Sequence, residues 1–241
     1  MTHVTHPFAQ RLGIIRGWKN RWFATDPKHF REYIRTDAAV RKFLTKKLKG
    51  MYVASVDIER NNKVLRIVIA TSRPGLLIGR SGEGAVKLKK EIDMLLRTLK
   101  LSEMPDIKID IEEMRTPELS ASIVAQMVVE GLEKRMPFRR VLKQTAEKVI
   151  ANRDVKGVRI VAGGRLGGAE MARREQIKKG QLPLQTLRAD IDFAREKAIL
   201  PYGTLGVKVW IYRGDIFEDR TAGREAEKRA EVRRTPRRNE A

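Results

Sequence analysis

The sequence predicts an α+β protein of two domains: a helix–strand–strand–helix–helix–strand unit, then a second unit with two helices packed on a small β-sheet. Three observations predict it. Apolar residues recur at helical spacing in some segments and alternate in others, so both element types are present. A chain of 241 residues is long enough for its core to divide. Pro117 opens a new helical run after a strand, which puts the division near residue 115.

The first unit spans 37–114. Asp37 is the expected N-cap of a helix over 38–49, with Val40, Phe43, Leu44 and Leu48 facing inward and lysine or arginine outward. Gly50 ends it. Val53, Val56 and Ile58 form an irregular strand pattern, and Arg60, Asn61, Asn62 and Lys63 read as a hairpin turn. Segment 64–70 is rich in β-branched residues and reads as the second strand. Pro74 and Gly75 begin a short helical turn. A longer helix over 83–99 then places Ala85, Leu88, Ile92, Leu95, Leu96 and Leu99 on one face. Ile107, Ile109 and Ile111 alternate with charged residues in a third strand.

The second unit spans 115–215. Pro117 starts a helix reaching about residue 135, and Pro137 starts another reaching about residue 152. Strands are expected over 158–162, 187–193 and 207–212, with a glycine-rich turn after the first. Residues 1–36 form a basic and aromatic arm, and 216–241 a charged, mobile tail.

Charge narrows the function. Lysine and arginine number 51 against 30 acidic residues, a net charge of +21. Self-repulsion on that scale calls for a polyanionic partner. The excess sits in the folded body: residues 114–213 carry twenty basic and ten acidic groups, and 214–241 only eight and seven. The chain has no cysteine, which excludes disulfides, thiolate nucleophiles and Cys-ligated zinc. His3, His6 and His29 lack metal-ligand spacing. No run is long enough to span a membrane, and residues 1–8 lack the apolar core of a secretory signal. No metal, cofactor, catalytic residue or small-molecule substrate is expected, and the expected location is cytoplasmic.

The sharpest motif is Gly79, Arg80, Ser81 and Gly82, between a short helix and a long one. Two glycines let an RNA backbone approach unobstructed, and the next helix's free amides and dipole favour phosphate oxygens. Arg80 adds charge-assisted hydrogen bonds. This is the GxxG arrangement of KH modules, and the element order around it matches the type II KH topology. The segment is not a P-loop: only three residues separate Gly75 from Gly79, and Arg80 stands where lysine is required.

A second glycine-rich segment, 163–168, holds four glycines around Arg165, with Arg173 and Arg174 following. It serves either as an RNA-facing loop or as a tight connection after a strand, and the two are compatible. Arg139, Arg140 and Lys143 fall within an arc of roughly 100° on the helix after Pro137. They form a cationic stripe where the helix dipole disfavours cations, so either a polyanion lies nearby or the face is merely solvated. Trp18, Trp22 and Phe23, interleaved with Arg16, Lys19 and Arg21, suit either base stacking or anchoring of the arm.

Several stretches resemble the bacterial small-subunit ribosomal protein three family. They include His6 and Pro7; Arg11, Leu12, Gly13 and Ile14; Trp22, Phe23 and Ala24; and Arg73, Pro74 and Gly75 leading into the GxxG loop. Further along come Phe138, Arg139 and Arg140, then 163–170, 187–192 and 206–211. The resemblance covers about residues 6–215. It implies a structural protein in the head of the small subunit, bound to small-subunit rRNA near the channel where mRNA enters. It implies contacts with ribosomal proteins ten and fourteen, with proteins four and five nearby. It also implies that Arg139, Arg140 and Lys143 face incoming mRNA and help the ribosome open mRNA helices. The alternative reading is a free KH-type RNA-binding regulator or ribosome-assembly factor.

Overall fold

A computed structural model describes residues 5–61, 64–99 and 104–217. Pro7 begins the short helix α1 (Pro7–Gln10), and a two-residue strand β1 (Asn20–Arg21) follows. Helix α2 (Pro27–Lys47) then leads into β2 (Val53–Arg60) and β3 (Val64–Thr71). Helices α3 (Pro74–Ile78) and α4 (Glu83–Thr98) and strand β4 (Asp106–Glu113) complete the first domain. From α2 onward this is the expected α-β-β-α-α-β order.

The sheet runs β1-β2-β3-β4, with β2 and β3 antiparallel and β4 parallel to β3. In β3 the alternation is strict: Leu65, Ile67 and Ile69 are buried and Arg66 is exposed. Those three side chains pack with Ile58, Leu44 of α2, and Ile92 and Leu96 of α4. The amide of Asn61 bonds the Val64 carbonyl at 2.9 Å, tying the end of β2 to the start of β3. Asn62 and Lys63, the rest of the expected turn, lie outside the described residues.

Helix α2 corrects the expectation of a helix capped by Asp37. It starts at Pro27, with Asp26 in the N-cap position, so part of the expected arm is helix. Asp37 lies mid-helix and buried, accepting from Trp22 Nε1 at 2.7 Å, Asn20 Nδ2 at 2.9 Å and Arg60 at 3.0 Å. A short polar residue ahead of an amphipathic run looks like a cap locally. Its tertiary partners account for its place here instead.

In the second domain, Pro117 heads a single 3-10 turn (Pro117–Leu119), and helix α5 (Ala121–Glu133) begins only after Ser120. Then come α6 (Phe138–Ile150), β5 (Gly157–Gly164), β6 (Arg173–Gly180), β7 (Ala189–Leu200) and β8 (Gly203–Asp215). The strands form an antiparallel sheet in the order β6-β5-β8-β7. Both helices cover one face: Val124, Val128, Leu142 and Val149 meet Val158, Ile160, Val207 and Val209 in one buried cluster. Strand β6 was not expected, because its only large apolar residue is Ile177 and its other side chains are polar. It lies at a sheet edge, where a charged strand is tolerated and discourages unwanted pairing. Strands β7 and β8 run longer than expected.

The arm joins the two domains. Arg11 is completely buried and donates to four backbone carbonyls: Ala189 at 2.6 Å, Thr186 at 2.8 Å, Pro7 at 3.0 Å and Leu184 at 3.1 Å. Arg16 pairs with Asp190 at 2.5 Å. Further on, Trp22 meets Phe30 and Tyr33 edge-on while bonding Asp37. The two roles open to the aromatics thus divide: Trp22 is an anchor, whereas Trp18 and Phe23 are 67% and 85% exposed. Direct domain contacts add to this, with Ser122 Oγ and Gln126 Nε2 donating to the Val53 carbonyl and Lys49 pairing with Glu133. The expected tail lies outside the described residues from 218 onward.

Candidate nucleic-acid interface

Backbone geometry explains why the GxxG loop needs its glycines. Gly79 adopts φ 69° and ψ −172°, a combination essentially restricted to glycine. Gly82 sits at φ 81° and ψ 3°, in the left-handed region. Between them Ser81 also has positive φ, at 53°. Gly84 lets α3 and α4 meet: a Cβ there would lie 2.4 Å from the Leu77 carbonyl. This close packing projects Arg80 and Ser81 into solvent, and no side chain caps the first amides of α4. Leu76, Ile78 and Val86, each 40–58% exposed, provide apolar surface beside the loop. A basic, backbone-accessible loop next to apolar surface can hold a phosphate and stack a base together.

The second cluster forms on α6. Val141, Leu142, Ala146 and Val149 are buried beneath it, so Arg139, Arg140 and Lys143 are held on the exposed side. Arg139 donates to Glu175 of β6 at 3.1 Å, and Arg173 lies 3.9 Å from the same carboxylate. Both guanidinium groups approach the Phe138 ring, at 5.7 and 5.4 Å from its centroid. Arg173 therefore belongs with the α6 stripe rather than with the glycine turn that precedes it in sequence. The hydrogen bond from Arg139, together with the charges of Arg139 and Arg173, holds the Glu175 carboxyl below its ordinary value. Arg140 makes no salt bridge among the described residues. Lys143 lies near Glu147, which is itself hydrogen-bonded to Lys179 at 2.9 Å.

Arg165 does something different. Its Nε donates to the Ala169 carbonyl and its Nη1 to the Tyr202 carbonyl, both at 3.0 Å. Those bonds brace the glycine turn against the β7–β8 connection, so the connecting role is the one seen for this side chain. The GxxG loop and the α6 stripe lie in different domains. Sequence reasoning missed the convergence of Arg173 with Arg139, because β6 was not recognised. Ile177, the one large apolar residue of β6, was the only signal available for it. Among the described residues, no group of His, Asp and Glu side chains is placed to hold a metal ion. None of the helices among them is long and apolar enough to cross a membrane.

Comparison with known proteins matches the two-domain fold. A KH domain family model matches residues 39–119, and the model for the ribosomal protein S3 C-terminal domain matches 128–211. Curated relatives carry the name small ribosomal subunit protein uS3. The one from Caldicellulosiruptor bescii is 42% identical over 225 residues, covering 93% of this chain and 98% of the relative. That from Desulfatibacillum aliphaticivorans is 42% identical over 221 residues, covering 92% and 97%. That from Salinibacter ruber is 44% identical over 217 residues, covering 90% and 88%. The family is one of structural proteins rather than enzymes. With a KH domain followed by the S3-specific domain, and such identity over most of its length, the chain belongs to the ribosomal protein S3 family.

Proposed function

We propose that the chain is an RNA-bound constituent of the small-subunit head, holding rRNA through its basic surfaces and lining the path by which mRNA enters. The observation that carries the mRNA part is the surface formed by Arg139, Arg140, Lys143 and Arg173. Two of these four cations share the single carboxylate of Glu175, so the patch stays positive. Cations beside a confined path stabilise separated strands, because bringing unpaired phosphates together is unfavourable without neutralisation. The work of unwinding comes from translocation, so the chain positions RNA and catalyses nothing. This reading carries with it contacts to ribosomal proteins ten and fourteen, with four and five nearby. The GxxG loop is the proposed rRNA contact of the first domain.

The test is the triple substitution of Arg139, Arg140 and Lys143 with alanine in assembled ribosomes. Their side chains are exposed, and an exposed ion pair such as Arg139–Glu175 adds little to stability, so fold and incorporation should persist. Elongation through a stable downstream hairpin should slow, while an unstructured message is read at a near-normal rate. Equal slowing on both messages would make the stripe an assembly contact. No slowing on either would leave it a solvated face.

A further inference from the structure

The face of the carboxy-terminal sheet turned away from α5 and α6 carries charges outside the GxxG loop and the α6 stripe. Strand register determines which residues share that face. Three rows cross the strands in the order β6, β5, β8, β7: Lys178, Arg159, Trp210 and Phe193; Gln176, Val161, Lys208 and Arg195; Arg174, Gly163, Gly206 and Lys197. The intervening residues Val158, Ile160, Val207 and Val209 pack against the helices, so alternation puts the rows on the opposite side. Six of these positions are cationic and none is acidic.

Part of the face is covered. Trp210 packs with Phe193, Leu182 and Leu184, and Arg159 lies 5.2 Å over its ring. The rest is open. Arg174, Lys178, Arg195, Lys197 and Lys208 are exposed, and none makes a salt bridge among the described residues. Gly163 and Gly206 leave bare backbone between Arg174 and Lys197. Packing does not demand glycine there: a Cβ on Gly163 would meet nothing within 4 Å, and one on Gly206 only the Gly163 carbonyl at 3.9 Å.

Neighbouring cations across strands stand about 4.8 Å apart, and alternate residues along a strand about 6.8 Å. Such an array repels itself unless anions lie on it. A protein partner fits poorly, because protein interfaces are depleted in lysine and centre on apolar anchors. These rows hold three lysines and no exposed large apolar side chain. Nucleic-acid interfaces are strongly positive and wet. We infer that this open sheet face binds an RNA backbone through its phosphates, as a contact surface separate from the GxxG loop and the α6 stripe. The inference rests on the chain being an RNA-binding protein, and its test separates the two.

Affinity of the full chain for a short unstructured oligouridine is measured by fluorescence anisotropy over a salt series. It is compared with that of a variant carrying Lys178→Gln, Arg195→Gln and Lys208→Gln. The slope of log affinity against log salt should shrink by about 2, at roughly 0.7 for each single-strand phosphate no longer neutralised. Wild-type binding that ignores salt would overturn the RNA-binding reading itself. Salt-dependent wild-type binding with an unchanged slope in the variant would overturn this inference alone. Polyglutamate competing as well as RNA at equal charge would assign the face to an acidic protein segment and overturn the commitment to RNA. If the triple substitution lowers the melting temperature, Lys208→Gln and Lys208→Arg decide the matter. The first should reduce the slope by about 0.7 and the second should leave it unchanged; equal slopes would overturn the inference.

Discussion

Replacing Arg11 with alanine should loosen the amino-terminal arm from the carboxy-terminal domain. The guanidinium group is completely buried and donates to the carbonyls of Ala189, Thr186, Pro7 and Leu184 at 2.6–3.1 Å. All four acceptors are backbone, and three lie about 175 positions away in sequence. At about 1 kcal/mol net for each bond, the loss is about 4 kcal/mol. The ceiling is the free energy of docking the arm, since an arm that detaches lets the stranded carbonyls recover water. For a chain of this size each kcal/mol shifts the melting temperature by about 2–4 °C, so the expected fall is roughly 8–16 °C. Arg11→Met keeps most of the side-chain volume without the donors, so it should restore little. Arg11→Lys keeps the charge but loses the planar fork, so it should fall between. Thermal unfolding by circular dichroism gives the magnitude, and trypsin susceptibility at Arg16 and Lys19 reports whether the arm has lifted. A melting temperature within 2 °C of wild type, with the arm still protected, would refute the assignment of Arg11 as the clasp.

Two further outcomes follow from the candidate surfaces. Replacing Arg80 and Ser81 together with aspartate should weaken RNA binding several-fold with little change in melting temperature. Both side chains are exposed, and aspartate tolerates the left-handed conformation at position 81; unchanged affinity would reduce the loop to a turn. The depressed Glu175 carboxyl means its ion pair adds stability above the ordinary glutamate value, and that contribution disappears as pH falls through the lower folded value. Arg139→Ala should therefore move the Glu175 titration upward in an NMR pH series, and an unmoved titration would remove Arg139 as the cause.

Where the chain's own local pattern decides, the sequence anticipates the structure. Helix α6 is an example, because Leu142, Ala146 and Val149 recur at helical spacing and the cations occupy the neighbouring arc. The GxxG loop is another, because glycines at positive φ are a local requirement. Distant partners decide the rest. Nothing in the sequence around Arg11 announces its partners, the carbonyls of Leu184, Thr186 and Ala189. Asp37 reads as a cap until Arg60 and Trp22 converge on it. The bracing of the glycine turn by Arg165 depends on the Tyr202 carbonyl, 37 positions away. Strand β6 escapes notice because an edge strand in a basic sheet carries little of the apolar alternation that marks strands. Its absence from the expected fold hid both the pairing of Arg173 with Glu175 and the open basic sheet face.

Co-sedimentation in high salt shows whether the chain is built into the small subunit. A tagged copy of the chain is expressed, ribosomal subunits are dissociated, and their sedimentation is followed on gradients at salt concentrations that remove loosely bound factors. The chain should stay with the small subunit in near-stoichiometric amount, because many phosphate contacts and neighbouring proteins hold it at once. A chain found mainly in subunit-free fractions, or washed off together with transient factors, would contradict that expectation.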